Sequence, residues 1–216
     1  MKTTYPLKVY QIALTYLPKV GPVKGKELAS LYPHLSDIFR LATYQPFAAE
    51  ALREAEKTVQ ICSEDHIEIL YFEDPEYPQR IKDLYDAPLI LFKKGNADLN
   101  AHRIVAVVGT RHASDVGKKV TEELVQSAIK DEVILVSGFA RGIDIALHKA
   151  CLKFDVPTIA VLAGGFRHLY PFENAVYVDQ ILANGALLSE YAPHIPPAAY
   201  YFPNRNRIIA GLSDAT

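Results

Sequence analysis

Three apolar runs that each end at a glycine constrain the fold of this 216-residue chain more than any other feature. Each run precedes a helix-length pattern, and the three pairs are 104–109 with 117–130, 133–138 with 142–154, and 158–165 with 173–183. Further strand-like segments lie at 67–72, 89–92 and 186–191. Repetition of strand, glycine and helix is typical of βαβ units. The pattern therefore predicts an α/β fold with a parallel sheet covered on both faces.

The first 64 residues have a different period. Apolar residues recur at helical spacing in the stretches 9–17, 23–31, 37–41 and 48–62. Ser36 is a candidate N-cap for the third of these helices. The segment carries a formal charge of +2, against −4 for the remaining residues. We predict a small all-α domain over 1–64, separable from an α/β domain over 65–216.

The overall charge excludes a polybasic nucleic-acid binder. Lys and Arg total 23 against 25 Asp and Glu, a formal net charge of −2, so any nucleic-acid site has to be a local cluster. Cys62 and Cys151 lack a metal-type spacing and are expected to be buried thiols, with no metal or cofactor. The sequence shows neither a signal peptide nor a membrane-length apolar run, which predicts a cytoplasmic protein without membrane contact.

Four loops predicted at the carboxyl edge of the sheet could bind an anion. They span 108–111, 137–144, 164–174 and 201–207, and each carries arginine: Arg111, Arg141, Arg167, and Arg205 with Arg207. Glycines allow close backbone approach, and arginine binds phosphate oxygens through two N–H groups. No G-x-G-x-x-G, Walker A or G-x-S-x-G motif is present. The alternative for Gly109 and Gly138 is that they only end strands, and for Asp144 that it only caps a helix.

Five motifs in order resemble the DprA/Smf family of DNA-processing proteins. They lie at 74–96, 107–111, 137–148, 164–174 and 202–213, and the most specific is the last, Phe-Pro-Asn-Arg-Asn-Arg followed by Ile-Ile-Ala-Gly-Leu-Ser. The resemblance covers about residues 5–216. Segment 1–64 is similar to the family's SAM-like or helix-hairpin-helix-type N-terminal domain. The resemblance implies an extended Rossmann-like sheet in the second part of the chain.

The same resemblance implies a role without an enzymatic reaction. DprA proteins bind single-stranded DNA during natural transformation, protect it, help to load the RecA recombinase, and work as homodimers. Carried over by position, with neighbouring polar side chains added, the phosphate-binding residues are expected to be Gly109, Arg111, Ser137, Gly138, Gly164, Gly165, Arg167, Asn174, Arg205 and Asn206. Phe166 and Tyr170 are expected to stack on bases.

The chain departs from the family pattern in two places. The third loop has Phe166-Arg167 where many members have Leu-Asp, and the added charge makes Arg167 a candidate DNA contact. Because their loops lie at the same edge of one parallel sheet, Arg111, Arg167 and Arg205 are expected to converge on one groove. The family sequence also continues with further strands and helices after the position of Ser213, whereas this chain stops at Thr216. We therefore expect a fragment or truncated product with an incomplete sheet, lower stability, and most of the dimer and RecA surfaces missing.

An enzyme related to the nucleotide phosphoribohydrolases is the alternative interpretation. Those families have Gly-Thr and a catalytic Glu after a Gly-Gly pair, whereas Gly164-Gly165 is followed here by Phe-Arg-His. Glu173 lies nearby, but no second acid is placed to form a general acid–base pair. The sequence therefore favours a binding protein.

Overall fold

The N-terminal part of the computed structural model, which describes residues 5–216, is a group of four helices. Their bounds are α1 Leu7–Ala13, α2 Pro22–Leu31, α3 Leu35–Ile38 and α4 Gln45–Glu64. The predicted N-cap at Ser36 is wrong, because α3 begins one residue earlier and His34 occupies the cap position. The long α4 turns Ala51, Leu52 and Ala55 inward, at the spacing of one helix face.

A six-stranded sheet forms the rest of the fold and confirms the predicted α/β class. Its strands are β1 Glu68–Tyr71, β2 Ile90–Gly95, β3 Ile104–Ala106, β4 Ile134–Gly138, β5 Thr158–Val161 and β6 Gly185–Ser189. The spatial order is β1-β2-β6-β5-β4-β3. Strands β3 to β6 pair in parallel, as the sequence predicts. The parallel prediction does not extend to β1 and β2, which join the β6 edge antiparallel.

Five further helices cover the sheet. They are α5 Gln79–Lys82, α6 Asp115–Ala128, α7 Ile143–Phe154, α8 Val178–Asn184 and α9 Tyr201–Leu212. The helix predicted over 173–183 is divided, since a 3₁₀ turn at Phe172–Tyr177 precedes α8. The segment 201–207, predicted as a loop, is the first half of α9. Pro203 is compatible with this helix because it lies in the first turn, where a backbone N–H has no partner within the helix.

One hydrophobic core joins the helical segment to the sheet. It contains α1 and α4 side chains together with Tyr71, Ile90 and Phe92 of β1 and β2. Leu91, between two of these, points to the opposite face and packs in a second core with α9. This alternation is the two-residue period of a strand buried on both faces. The boundary at residue 64 stays a prediction, and the packing across it indicates that the two segments unfold together.

Leu52→Ala tests this coupling. Leu52 is buried in the shared core, so its truncation should lower the free energy of unfolding by about 2–5 kcal/mol. Native-state hydrogen exchange should then show β2 and β6 amides accelerating as much as those of α4. Phe47→Ala, at a half-exposed position of the same helix, is the control and should change little. Acceleration confined to the helices would show that the segments are independent.

Candidate nucleic-acid interface

A cavity of about 850 Å³ opens at the carboxyl ends of the parallel strands. The loops after β3 and β4, the segment 197–199 and the first half of α9 form its walls. The lining residues are Val108, Gly109, Arg111, Ala140, Asp144, Tyr170, Pro197, Ala198, Ala199, Phe202, Pro203, Arg205, Asn206, Ile209, Ala210 and Thr216. This edge is where open α/β sheets place their ligands, and we call it the strand-end cavity.

The floor of the strand-end cavity is built around a buried guanidinium. Arg205 is 5% exposed and donates a hydrogen bond to the carbonyl of Val161, at the end of β5. Asp144, at the start of α7, is also buried and attracts Arg205 electrostatically. The backbone at Ala140 and Gly109 and the side chain of Ser137 favour the charged form of its carboxylate. Burial raises the pKa of Asp144, and the charge of Arg205 opposes that shift.

Two glycines make this arrangement sterically possible. A Cβ at Gly138 would overlap the Asp144 carboxylate and the Arg205 guanidinium. Gly142 has φ +81° and a Cβ there would overlap the carbonyl of Thr110. That carbonyl accepts a hydrogen bond from the N–H of Ile143, at 3.1 Å. The buried Asp144 and Arg205 side chains therefore require glycine at 138, and the close approach of the loops after β3 and β4 requires glycine at 142.

Arg111 is the cation that faces solvent at the mouth of the cavity. Its guanidinium carbon lies 5.3 Å from the centroid of the Phe202 ring. The Phe202 ring also contacts Tyr170 edge-on, with centroids 5.7 Å apart. Among the described residues, no carboxylate lies within salt-bridge distance of Arg111. The mouth thus combines one unpaired positive charge with two aromatic rings.

Three of the other loop arginines are neutralised. Arg141 pairs with Glu173 at 2.5 Å, and Arg167 pairs with Asp65 at 2.7 Å and Glu64 at 3.2 Å. Arg207 binds Glu190 and Asp86 on the other side of α9. The structure therefore brings Arg111 and Arg205 to the strand-end cavity but leaves Arg167 outside it. The expected convergence holds for two of the three arginines, because carboxylates of α4 and the turn after it hold the third.

The remaining predicted residues fall into three groups. Gly109, Asn206 and Tyr170 line the strand-end cavity, as do Arg111 and Arg205. Gly138 lies beneath the floor, and two buried side chains bond to backbone carbonyls, Ser137 to Val107 and Asn174 to Phe139. Three residues of the third loop lie outside the lining. Gly164 borders a small adjoining void, and Gly165 packs against the backbone of residues 192–193. Phe166 is half-buried between two hydrophobic cores.

Asp144 and Phe202 belong to the cavity although they are not among the predicted phosphate-binding or stacking residues. Asp144, for which a helix cap is the alternative role, links two loops to Arg205. Phe202 shares a face of α9 with Arg205, Asn206 and Ile209, at i, i+3, i+4 and i+7 spacing. With 201–207 interpreted as a helix, this spacing predicts that the four side chains lie on one face. Glu173, considered for catalysis, is outside the lining and is held by Arg141, which lowers its pKa.

Comparison with known proteins assigns the chain to a family. Residues 68–216 match the sequence model of DNA recombination-mediator protein A, and the chain belongs to that family. It is 40% identical over 152 residues to DNA processing protein DprA of Bacillus subtilis, covering 70% of this chain and 51% of the relative. The chain thus spans about half the length of these curated relatives, the Bacillus subtilis protein and DNA processing protein DprA of Streptococcus pneumoniae.

Two solved structures share the fold. DNA processing protein A from Streptococcus pneumoniae superposes with a TM-score of 0.70 at 33% identity, over 95% of this chain and 70% of that one. The Helicobacter pylori protein, described for its single-stranded DNA binding mode, gives 0.61 at 31% identity, over 69% of this chain and 67% of that one. Within residues 5–216, no helix is long and apolar enough to cross a membrane. The same residues contain no His, Cys, Asp and Glu cluster suited to a metal.

Gly138→Ala should disrupt the cavity floor. The added methyl group overlaps two buried charged groups, so we expect the free energy of unfolding to fall by about 1–3 kcal/mol or more. Gly117→Ala in α6 is the matched control: its Cβ would meet only contacts of 3.5 Å. It should leave stability unchanged or raise it by up to about 1 kcal/mol through helix propensity. Urea denaturation of both variants measures the difference, and equal stabilities would contradict this account of the floor.

His148 should make stability fall in mild acid. It is fully buried, donates to the carbonyl of Gly138 at 2.6 Å, and burial lowers its pKa to about 4. Between about pH 6.5 and 4 the unfolded chain therefore takes up a proton that the folded chain does not, and stability decreases as pH falls. The unfolding free-energy difference between wild type and His148→Gln should shrink by about 2 kcal/mol from pH 7.5 to 5. The exposed control His112→Gln should show no such change, and a constant difference for His148→Gln would refute the shift.

Proposed function

We propose that this chain binds single-stranded DNA at the strand-end cavity, chiefly through backbone phosphates. The observation that carries the proposal is Arg111, an unpaired guanidinium at the mouth of the strand-end cavity and close in sequence to Gly109 of its lining. A phosphate there would gain a charge-assisted, two-point hydrogen bond without displacing a carboxylate from Arg111. Arg205 adds a second positive charge from beneath, with Asp144 as its partial counter-charge.

The aromatic rings at the mouth favour single strands over duplex. Tyr170 is half-exposed and Phe202 stands beside it, so unpaired bases could stack there while a phosphate contacts Arg111. In a duplex the base faces are already stacked and unavailable. Similarity to the Helicobacter pylori protein, whose single-stranded DNA binding mode has been described, supports the same ligand for this chain.

A binding role also agrees with the chemistry of the cavity lining. Among the described residues, Asp144 is the one Asp or Glu side chain of the lining, and it is buried beneath the surface. A hydrolase of the phosphoribohydrolase type would need a second acid or base beside it. We extend the proposal to the wider role of the family: DNA protection and RecA loading in natural transformation, by a cytoplasmic homodimer.

Arg111→Ala is the direct test of the phosphate site. Measured against poly-dT, it should weaken binding strongly and flatten the log–log salt dependence by about one contact, a slope change of about 0.7. Arg53→Ala, an exposed arginine of α4, is the control and should match wild type. Circular dichroism confirms folding of each variant. Wild-type affinity for Arg111→Ala at every salt concentration would exclude this site.

Arg167→Ala tests the position at which the third loop departs from the family. Its guanidinium is held by Asp65 and Glu64, so a phosphate would have to displace two carboxylates to reach it. We expect Arg167→Ala to weaken poly-dT binding less than Arg111→Ala, with a smaller change in salt slope. The same titrations measure it, and a loss equal to that of Arg111→Ala would place Arg167 directly on the strand.

A further inference from the structure

A second cavity, of about 450 Å³, lies between the helical segment and the sheet. It is on the other side of α9 from the strand-end cavity. Tyr201, Asn204 and Arg207 line it at three-residue spacing along that helix. Volume and position are those of a small-ligand site at a junction between structural units. We call it the junction cavity, and the phosphate site proposed above does not use it.

The charged side chains that line the junction cavity are two carboxylates and one guanidinium. Arg207 donates through Nη2 to both carboxylate oxygens of Glu190, at 2.6 and 2.7 Å, and its Nε lies 3.1 Å from Asp86. All three side chains line the cavity. The two carboxylates disfavour a phosphate and can accept further hydrogen bonds, whereas Nη1 of Arg207 is buried without a partner. The cavity therefore suits a ligand whose edge carries N–H donors beside one acceptor for Arg207. Glu190 is largely buried, and burial raises its pKa against the effect of Arg207.

Aromatic rings form much of the remaining wall. Tyr191 and Tyr201 are stacked, with centroids 3.8 Å apart and planes inclined by 28°. Tyr16 faces the cavity from the helical segment, and its hydroxyl bonds to Thr58 at 2.9 Å, which fixes the ring. A wall of fixed rings beside hydrogen-bond acceptors suits a flat, apolar-faced ligand with N–H groups on its edge.

The two cavities are connected by exposed aromatic surface. Tyr200 is exposed and lies edge-on to Tyr201, at 4.4 Å between centroids. It follows Ala199 of the strand-end cavity and precedes Tyr201 of the junction cavity. A strand with a phosphate at Arg111 therefore has stacking surface leading toward the junction cavity.

We propose that the junction cavity binds one unstacked nucleobase that carries an exocyclic amino group, with Glu190 and Asp86 accepting its N–H bonds. Cytosine fits because its amino group presents two donors at the edge of the ring. Thymine fits poorly, since its one ring N–H stands between two carbonyl oxygens that the carboxylates repel. The base can belong to a DNA strand or to a free nucleoside. Only the first of these sources rests on the proposed function.

Titration of the full chain with deoxycytidine and thymidine, followed by NMR, tests the inference without any variant. We expect saturable binding of deoxycytidine at least tenfold tighter than that of thymidine. Glu190→Gln should abolish the preference. Glu68→Gln, an exposed glutamate paired with Lys93 outside the cavity, should keep it. Arg111→Ala should also keep it, because a nucleoside has no phosphate.

Competition with hexamers of deoxycytidylate and thymidylate identifies the source of the base. A deoxycytidylate hexamer that displaces deoxycytidine places a strand base in the cavity, and its failure to do so assigns the cavity to free nucleosides. Absent or equal binding of the two nucleosides overturns the inference, as does a preference unchanged in Glu190→Gln. Loss of the Arg111 effect on poly-dT would overturn the proposed function instead, and the nucleoside result would stand by itself.

Discussion

The buried guanidinium of Arg205 determines how the strand-end loops are arranged. A permanent charge at 5% exposure is tolerated only with nearby acceptors and counter-charge. The Val161 carbonyl supplies the first and Asp144 the second. The backbone at Gly109 and Ala140, in the loops after β3 and β4, in turn favours the charged form of Asp144. One charge therefore ties α7, α9 and three strand ends to a single geometry, and the proposed phosphate-binding surface lies above it.

The parallel half of the sheet could be predicted because its physics is local. Strands buried on both faces appear in the sequence as continuous apolar runs. Gly138, which ends β4, and Gly142, which precedes α7, lie where the chain makes close contacts. The antiparallel pairing of β2 with β6 has no local sequence pattern, because paired residues such as Phe92 and Ser189 are far apart in the chain. Helix α9 was missed for a different reason: tyrosine, proline and asparagine at its start are typical of turns.

The sequence predicts which residue types lie at the site better than it predicts which of the arginines are free of carboxylates. Arginine in every loop was visible, but whether each charge is free depends on carboxylates distant in the chain. Arg167 meets Asp65 across 102 positions, and Arg141 meets Glu173 across 32. Arg207 faces another cavity because helix residues two positions apart, such as Arg205 and Arg207, point to different sides of the helix. A count of charges on a sheet edge therefore overestimates its attraction for phosphate.

The pairing of β2 with β6 also sets an order of events during synthesis. β6, the strand that covers the inner edge of β2, follows it about 90 residues later in the chain, which is about 5–20 s of synthesis. In that interval the β1–β2 hairpin can bury one face against the helices that precede it, while its other edge keeps unpaired backbone groups. The nascent chain thus carries an open strand edge until β6 emerges.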